Sequence, residues 1–241
     1  MIQPELSLVI PAYNEERRLG PTLQRVLPYL ASRNQSFEVL VVDDGSSDGT
    51  VALAASFAPR WPVRVLKNGR NRGKGYAVKR GMLEARGRYA VFADADLSTP
   101  VEELERFLPH LAAGCDVVIG SRKMQGARIH HRQPLHRELM GRVFTFLVRL
   151  LVVGGISDIT CGFKAFRQAA ARGIFCRLRL EDWSFDAELL FLTRRLGLRL
   201  QEVPVSWSDA PATKVRLLRD TLSSLRGLLR IRLNAWLGRY R

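Results

Sequence analysis

Cysteine is scarce in this 241-residue chain: Cys115, Cys161 and Cys176 are far apart and odd in number. That excludes a disulfide framework and a zinc-binding spacing, and it is the pattern of a reduced, intracellular protein. Long apolar runs are also missing. The most apolar helical candidate, 143–153, is too short to span a bilayer and carries Arg149 in its middle. Met1–Glu5 leads directly into a strand-like run, so no signal peptide is expected. Acidic residues are in deficit, 23 Asp+Glu against 38 Lys+Arg, for a net charge of +15. A chain this basic seeks a polyanion: nucleic acid, anionic lipid or a phosphorylated substrate. The first of these lacks support, because there is no RNP pattern, no zinc-finger spacing and no aromatic interleaving of the basic runs. Internal repeats and low-complexity tracts are absent as well.

What is present is enough apolar residue, 46%, for a sizeable core, and a length that suits one domain or one domain with an appendage. Leu6–Ile10 reads as a buried strand stopped by Pro11. A helix follows, with Asn14 as its expected N-cap. Val39–Val42 is a second strand, ending in the turn-rich Asp43–Thr50, where Asp48 is placed to cap the next helix. Val63–Leu66 is a third. Asn71–Gly75 then opens a helix that runs to about Ala85. Tyr89–Ala93 and Asp116–Gly120 are two further strands. Strands alternating with helices indicate a mostly parallel sheet with helices on both faces. The second half is less regular. Residues 121–137 are basic and polar. Helices are expected over about 135–153 and 184–196, and a strand over 200–207. From Lys214 to Arg241 there are eight basic residues and one acid, Asp220, with leucines at helical spacing. That is a basic amphipathic helix suited to an anionic membrane surface.

The stretch Phe92–Asp96, reading FADAD, carries the most chemistry. Its two carboxylates end an apolar run, so a strand there would deliver them to the sheet's carboxyl edge, where ligands of open α/β sheets bind. At spacing i, i+2, Asp94 and Asp96 point the same way if the strand continues. Like charges in one site raise a pKa, and an oxygen-seeking divalent ion, Mg²⁺ or Mn²⁺, removes the conflict. An isolated D-x-D is also what a surface turn looks like, so the surrounding motifs must decide.

Those motifs are IPAYNEE (Ile10–Glu16), VVDDGSSDGT (Val41–Thr50), NRGKGYAVKRGM (Asn71–Met82), ADADLSTP (Ala93–Pro100) and GSR (Gly120–Arg122). In this order and spacing the chain resembles the family 2 glycosyltransferases. The resemblance implies an α/β fold of the GT-A (Rossmann-like) type, a mostly parallel sheet flanked by helices, with a C-terminal amphipathic helix. The implied division is a glycosyltransferase domain over 1–211 and a membrane-surface segment over 212–241. DITCGFKAF (Asp158–Phe166), DWSFDAELLFL (Asp182–Leu192), EVPVSW (Glu202–Trp207) and Thr213-Lys214 are most similar to the dolichyl-phosphate β-glucosyltransferase branch. The eukaryotic enzymes of that branch carry an N-terminal membrane anchor that has no counterpart in this sequence. That suggests a prokaryotic relative or a peripheral one, and a location on the cytoplasmic face of a membrane is expected.

The resemblance implies transfer of glucose from UDP-glucose to a polyprenyl phosphate with inversion at the sugar. GDP-mannose is the alternative donor, because the sibling mannosyltransferases share most of these motifs. It also implies roles. Asp96 is the direct metal ligand, and Asp94 holds ribose or metal-bound water. Pro11, Tyr13 and Glu15 form the nucleotide pocket, with pairing to the positive end of a helix as the plain alternative for Glu15. Asp44 accepts the uracil N3 hydrogen, with Asp43 the alternative. Gly73 and Lys74 approach base and phosphates, and Lys214 folds over the diphosphate. Arg122 and Arg137 hold the acceptor phosphate, with Arg132 competing for the second role and a solvated basic loop as the plain alternative. The planar fork of arginine suits such a group. Asp186 and Glu188 are candidates for sugar binding or for a base. A phosphate monoester, with a second pKa of about 6, is already mostly anionic near neutral pH. It needs positioning more than deprotonation, which limits what Asp186 must do.

Overall fold

The structure, a computed structural model, describes residues 3–209 and 217–240. Its centre is a seven-stranded sheet in the order β3-β2-β1-β4-β7-β5-β8. The strands are β1 (Leu6–Ala12), β2 (Phe37–Asp43), β3 (Val63–Lys67), β4 (Tyr89–Ala93), β5 (Val117–Ser121), β7 (Phe163–Arg167) and β8 (Leu200–Pro204). All are parallel to their neighbours except β7, which runs antiparallel between β4 and β5. A separate two-stranded ladder joins β6 (Arg128–His131) and β9 (Ser206–Ser208).

Both faces of the sheet are covered, so its strands read as continuous apolar runs rather than as alternation. Leu8, Ile10, Val39, Val41 and Val91 point to one core. There they meet α1 (Glu16–Ser32), α2 (Thr50–Ser56) and α4 (Leu104–Ala112). Val9, Leu40, Val42, Phe92 and Ile119 point to the other. That side is closed by α3 (Lys74–Glu84), α5 (Leu135–Leu151), α6 (Gln168–Phe175), α7 (Phe185–Arg195) and α8 (Leu217–Trp236). One face of α8 is part of this core: Leu228 and Ile231 are fully buried, and Tyr240 just beyond the helix packs on Phe191.

The chain leaves β1 toward β2 and β3 on one side and returns to β4 on the other. The switch point therefore lies between the carboxyl ends of β1 and β4, where open α/β sheets bind ligands. The Asp94/Asp96 loop leaves β4 there. β7 begins at the same edge because it is antiparallel: Phe163 pairs with Ala93 and Lys164 with Phe92. Residues 157–162 are thereby carried to the D-x-D loop.

Several local expectations need correction. Pro11 does not stop β1, which continues to Ala12; pairing with β4 has ended at Val9, so Pro11 has an open side where no N–H is needed. Asn14 is not the N-cap of α1. The cap position is Glu15, while Asn14 adopts φ 53° and its side chain accepts from the Ser47 N–H. Asp48 is not at the cap position of α2, which Gly49 holds, yet it does the work of one. It accepts the Thr50 N–H at 3.0 Å and, with its other oxygen, the Glu16 N–H of α1 at 3.3 Å. The 200–207 strand is two strands, because β8 ends at Pro204 and Ser206–Ser208 joins β6 instead. β6 lies in the basic segment read as irregular; its residues are mostly exposed and carry no apolar period.

Gly81 shows how tightly α3 lies on the sheet. A Cβ there would sit 2.3 Å from Val9 Cγ1 and 2.8 Å from Val42 Cγ2. Helix propensity alone favours alanine at a mid-helix glycine by about 1 kcal/mol. Overpacking against two branched side chains in the core costs about 1–3 kcal/mol. Gly81→Ala is therefore expected to lower stability in urea unfolding, and a gain would show that α3 is free to lift.

Candidate active site

The site is built at the carboxyl edge by β1, β2 and β4, the start of β7, and the N-terminal ends of α3 and α7. Asp94 is half-buried and receives the Lys74 ammonium at 2.5 Å from its Oδ1. Gly162, at the start of β7, makes room for it. A Cβ on Gly162 would lie 1.9 Å from Asp94 Oδ2, so only glycine lets the backbone pass this carboxylate. Asp96 accepts the Ser98 N–H at 3.0 Å and faces Arg18 Nη1 at 3.9 Å. Burial, and then the Asp94 charge, push the Asp96 carboxyl up from its ordinary value. Leu97 between them and Ser98 adopts φ 48°, a left-handed turn unusual for a branched residue.

Lys74 enters from the first turn of α3. Gly73 before it has φ 106°, and its backbone lies so close to the Glu181 carbonyl that a Cβ would be 2.4 Å away. This loop is pinned by Asp44, which accepts the Arg72 and Gly73 N–H groups and the Asn68 amide, the last at 2.8 Å. Asp44 is thus a clamp on the Gly73–Lys74 turn. Asp43 accepts the N–H groups of Gly45 and Ser46. Burial works against the Lys74 charge, but Asp94 and then Asp186 more than offset it and hold the ammonium above its ordinary value. The Trp183 ring lies 5.1 Å from the same ammonium and is partly exposed.

Asp186, in the first turn of α7, is buried and bound by Lys164 Nζ at 2.6 Å. Lys164, on β7, is fully buried; it also donates to the Cys161 carbonyl and lies 5.3 Å over the Phe92 ring. Burial raises Asp186, against the opposing pull of Lys164 and Lys74. Glu188, two residues on, does not face the site. It accepts the Arg179 and Leu180 N–H groups and the Tyr240 hydroxyl, tying the C-terminal end of the chain to α7.

Arg122, at the end of β5, forms a two-point pair with Asp158, Nε to Oδ2 at 2.7 Å and Nη2 to Oδ1 at 2.8 Å. Nη2 also reaches Thr160. Its ring neighbour is Trp207, 5.3 Å away. Burial would raise Asp158, but the Arg122 guanidinium holds its carboxyl well below the usual range. Glu202 of β8 accepts the Ser157 and Asp158 N–H groups and fixes this loop. The fork predicted for an acceptor phosphate is therefore engaged within the protein through Nε and Nη2, and among the described residues Nη1 of Arg122 has no hydrogen-bond partner.

Tyr13 is partly exposed beside the carboxyl end of β1, and Pro11 lies within that strand. Glu15 pairs with Arg18 at 2.6 Å. Arg132 is exposed beyond β6. Arg137 falls in the first turn of α5, with its side chain outside those described, and Lys214 lies outside the described residues. Among the described residues no group of three or more His, Cys, Asp or Glu side chains could hold a metal ion. Sequence reasoning gave no role to Arg18, Asp158, Gly162, Lys164 or Trp183. Four of these stood inside quoted motifs, while Arg18 had no distinguishing signal.

Known proteins bear on this geometry. The family model "Glycosyl transferase family 2" matches residues 7–175. The chain is 39% identical to a Drosophila melanogaster dolichyl-phosphate β-glucosyltransferase, over 98% of this chain and 77% of that protein. It is 35% identical to the Dictyostelium discoideum protein of the same name, over 97% and 75%. Among solved structures, the Mycobacterium tuberculosis glucosyl-3-phosphoglycerate synthase in complex with Mn²⁺, UDP-glucose and glycerol 3-phosphate superposes with a TM-score of 0.72. It is 21% identical, over 95% of this chain and 80% of that one. The chain belongs to glycosyl transferase family 2 and has the fold expected from its motifs.

The Arg122–Asp158 pair makes a direct prediction. Removing one partner of a buried ion pair leaves the other charge stranded, which costs about 3–5 kcal/mol. Arg122→Ala is expected to lose that much in urea unfolding at neutral pH. A folded-state carboxyl held low stabilises the fold above the ordinary carboxylate range and loses that contribution as pH falls through it. The gap between wild type and variant should therefore narrow in acid. A gap that is small or independent of pH would show that the pair contributes little.

Proposed function

We propose that this family 2 glycosyltransferase moves glucose from UDP-glucose to a polyprenyl phosphate. The α-linked donor would give a β-linked lipid phosphosugar. The observation that carries this reading is the Asp94/Asp96 pair at the β1/β4 switch point, with Lys74 on Asp94 and Asp186 close behind. A glycosyl donor activated by a diphosphate brings negative charge that Lys74, together with a divalent cation on the acid pair, can receive. The 35–39% identity to dolichyl-phosphate β-glucosyltransferases over nearly all of this chain supports the choice of sugar and acceptor.

Asp94 and Asp96 would hold a divalent cation, Mg²⁺ or Mn²⁺. The fit is chemical. Both are oxygen donors of the kind hard cations take, and a cation, the Lys74 ammonium, already stands against Asp94. Two carboxylates are an incomplete shell, which suits an ion that completes itself with substrate phosphates and water. When bound, the ion would neutralise charge on the departing diphosphate.

This chain's own residues do the rest. Tyr13, Glu15 and Gly73 would border the nucleotide side of the crevice, Asp44 holds the Gly73 turn toward the base from behind, and Pro11 fixes the backbone beneath it. Lys74 supplies positive charge to the diphosphate, and Lys214 would add to it from the following segment. Asp186 is the acid available for the sugar or as a base, positioned by Lys164. Arg122, through Nη1, and Arg137 are the groups for the acceptor phosphate.

The acceptor is a lipid, and the fold offers it a surface. Leu135, Leu139, Val143, Phe146 and Leu150 of α5 are exposed within an arc of ~80° at 100° per residue. Leu229, Leu233, Trp236 and Leu237 form a second exposed apolar stripe on and just beyond α8. Arg142, Arg226, Arg230 and Arg232 are exposed on the same two helices. Among the described residues no helix is long and apolar enough to cross a membrane. We read α5 and α8 as lying in an anionic cytoplasmic leaflet, where each basic residue near the surface contributes about 1 kcal/mol.

The decisive assay is transfer of labelled glucose from UDP-glucose to a short polyprenyl phosphate with Mn²⁺ or Mg²⁺. Asp96→Ala should lower turnover by roughly 10²-fold or more, the scale of losing one transition-state electrostatic stabiliser. Turnover with GDP-mannose alone would move the protein to the mannosyl branch. Sedimentation with vesicles tests the surface. Anionic vesicles should bind wild type, less so at high salt, and Leu139→Glu with Phe146→Glu should release it. Binding indifferent to anionic lipid would refute the leaflet assignment.

A further inference from the structure

Each carboxylate of the Asp94/Asp96 pair already faces a cation belonging to the chain. Lys74 Nζ lies 2.5 Å from Asp94 Oδ1, and Arg18 Nη1 lies 3.9 Å from Asp96 Oδ2. Neither is a loose surface charge. Lys74 is largely shielded, beside the Trp183 ring, in a turn fixed by Asp44. Arg18 is aimed by Glu15, which accepts from its Nε at 2.6 Å and its Nη2 at 2.7 Å and leaves Nη1 toward Asp96. Gly162 packs against the far side of Asp94, so this carboxylate has little room to turn away.

An ammonium 2.5 Å from a carboxylate oxygen and a metal bound to that oxygen compete for the same lone pairs. A divalent ion entering alone would also put its charge beside a shielded ammonium whose other charge partner, Asp186, is already held by Lys164, and poorly paired charge in such a place is costly. A diphosphate removes the conflict, because its oxygens receive the displaced ammonium while they complete the metal's shell. We propose that Lys74 and Arg18 are resident counter-ions of the metal site, which a nucleoside diphosphate draws away from Asp94 and Asp96, so that metal and donor bind as a coupled pair. Linkage then requires each to raise the affinity of the other by the same factor. This inference rests on the reading that Asp94 and Asp96 hold the metal together with the donor.

The test is Mn²⁺ binding, followed by the electron paramagnetic resonance signal of the free ion, with and without UDP. UDP affinity in EDTA is measured alongside by calorimetry. In wild type, UDP should tighten Mn²⁺ binding by roughly tenfold or more, within the usual range of coupling. Lys74→Met should bind Mn²⁺ more tightly than wild type when UDP is absent, by a similar factor. It should bind UDP less tightly in EDTA and show a smaller effect of UDP on the metal. Arg18→Met should shift in the same direction by less, because its cation stands farther off, and it carries the test if Lys74→Met fails to fold by circular dichroism. Unchanged Mn²⁺ affinity in the folded variants without UDP, with wild-type coupling intact, would overturn the counter-ion role and leave the metal reading standing. A wild type that binds no Mn²⁺ even with UDP would remove both.

Discussion

The constraint on which the active edge depends is the crowding of three carboxylates into one partly dry crevice. Asp94, Asp96 and Asp186 lie close enough to influence one another, and burial raises both Asp96 and Asp186. Burial favours the uncharged form of Asp96 and of Asp186, and so works against the charge that a nucleotide-sugar site needs. Cations therefore interleave with them: Arg18 near Asp96, Lys74 on Asp94, and Lys164 on Asp186. The supporting structure serves this alternation. Asp44 holds the turn that carries Lys74, Gly162 clears the space for Asp94, and the Phe92 ring floors the Lys164 ammonium.

The alternation exists because one strand runs backwards. Were β7 parallel, Lys164 would still sit in the sheet, but residues 157–162 would lie at the opposite edge. Antiparallel pairing of Phe163 with Ala93 instead starts β7 where β4 ends. Asp158 and Thr160 are thereby placed beneath the end of β5, where they engage Arg122. Glu202 of β8 then fixes the 157–158 backbone from the next strand. Pairs of this kind are weak evidence of stability, since burial costs both partners. Their consequence here is positional, a loop between α5 and β7 held to the edge at which the reaction is proposed to occur.

The apolar stripes of α5 and α8 stand apart from this edge in composition. A soluble domain rarely leaves a contiguous apolar surface uncovered. Both helices bury their other sides, so the exposed side chains are not needed for the fold: Val148 and Leu228 reach the core while Phe146 and Leu229 do not. In the proposed reaction a hydrophobic acceptor must present a charged head group to a charged crevice. A protein that rests its apolar side in the leaflet brings the two chemistries together without extracting the lipid.

Much of the fold was legible in the chain itself. Continuous apolar runs ending in Pro11-Ala12, Asp43-Asp44 and Ala93-Asp94 mark buried parallel strands, because only strands covered on both faces lack alternation. The D-x-D pair, the Gly73–Lys74 turn and the basic amphipathic tail were likewise visible, being local in sequence. β6 was not, since a short exposed ladder has no apolar period, and 200–207 looked like one strand because hydropathy does not register a change of partner. The partner of each charge was equally hidden. Arg122 reads as a free phosphate-binding fork, and only the fold shows Asp158 in its grip; Asp44 reads as a base-recognition acid, and only the fold shows its carboxylate filled by Asn68, Arg72 and Gly73. The sequence by itself determined which chemical groups the protein has and which strand ends carry them. Tertiary structure decided which of those groups are spent on one another, because that depends on strand order and direction, which place residues distant in sequence within hydrogen-bonding reach.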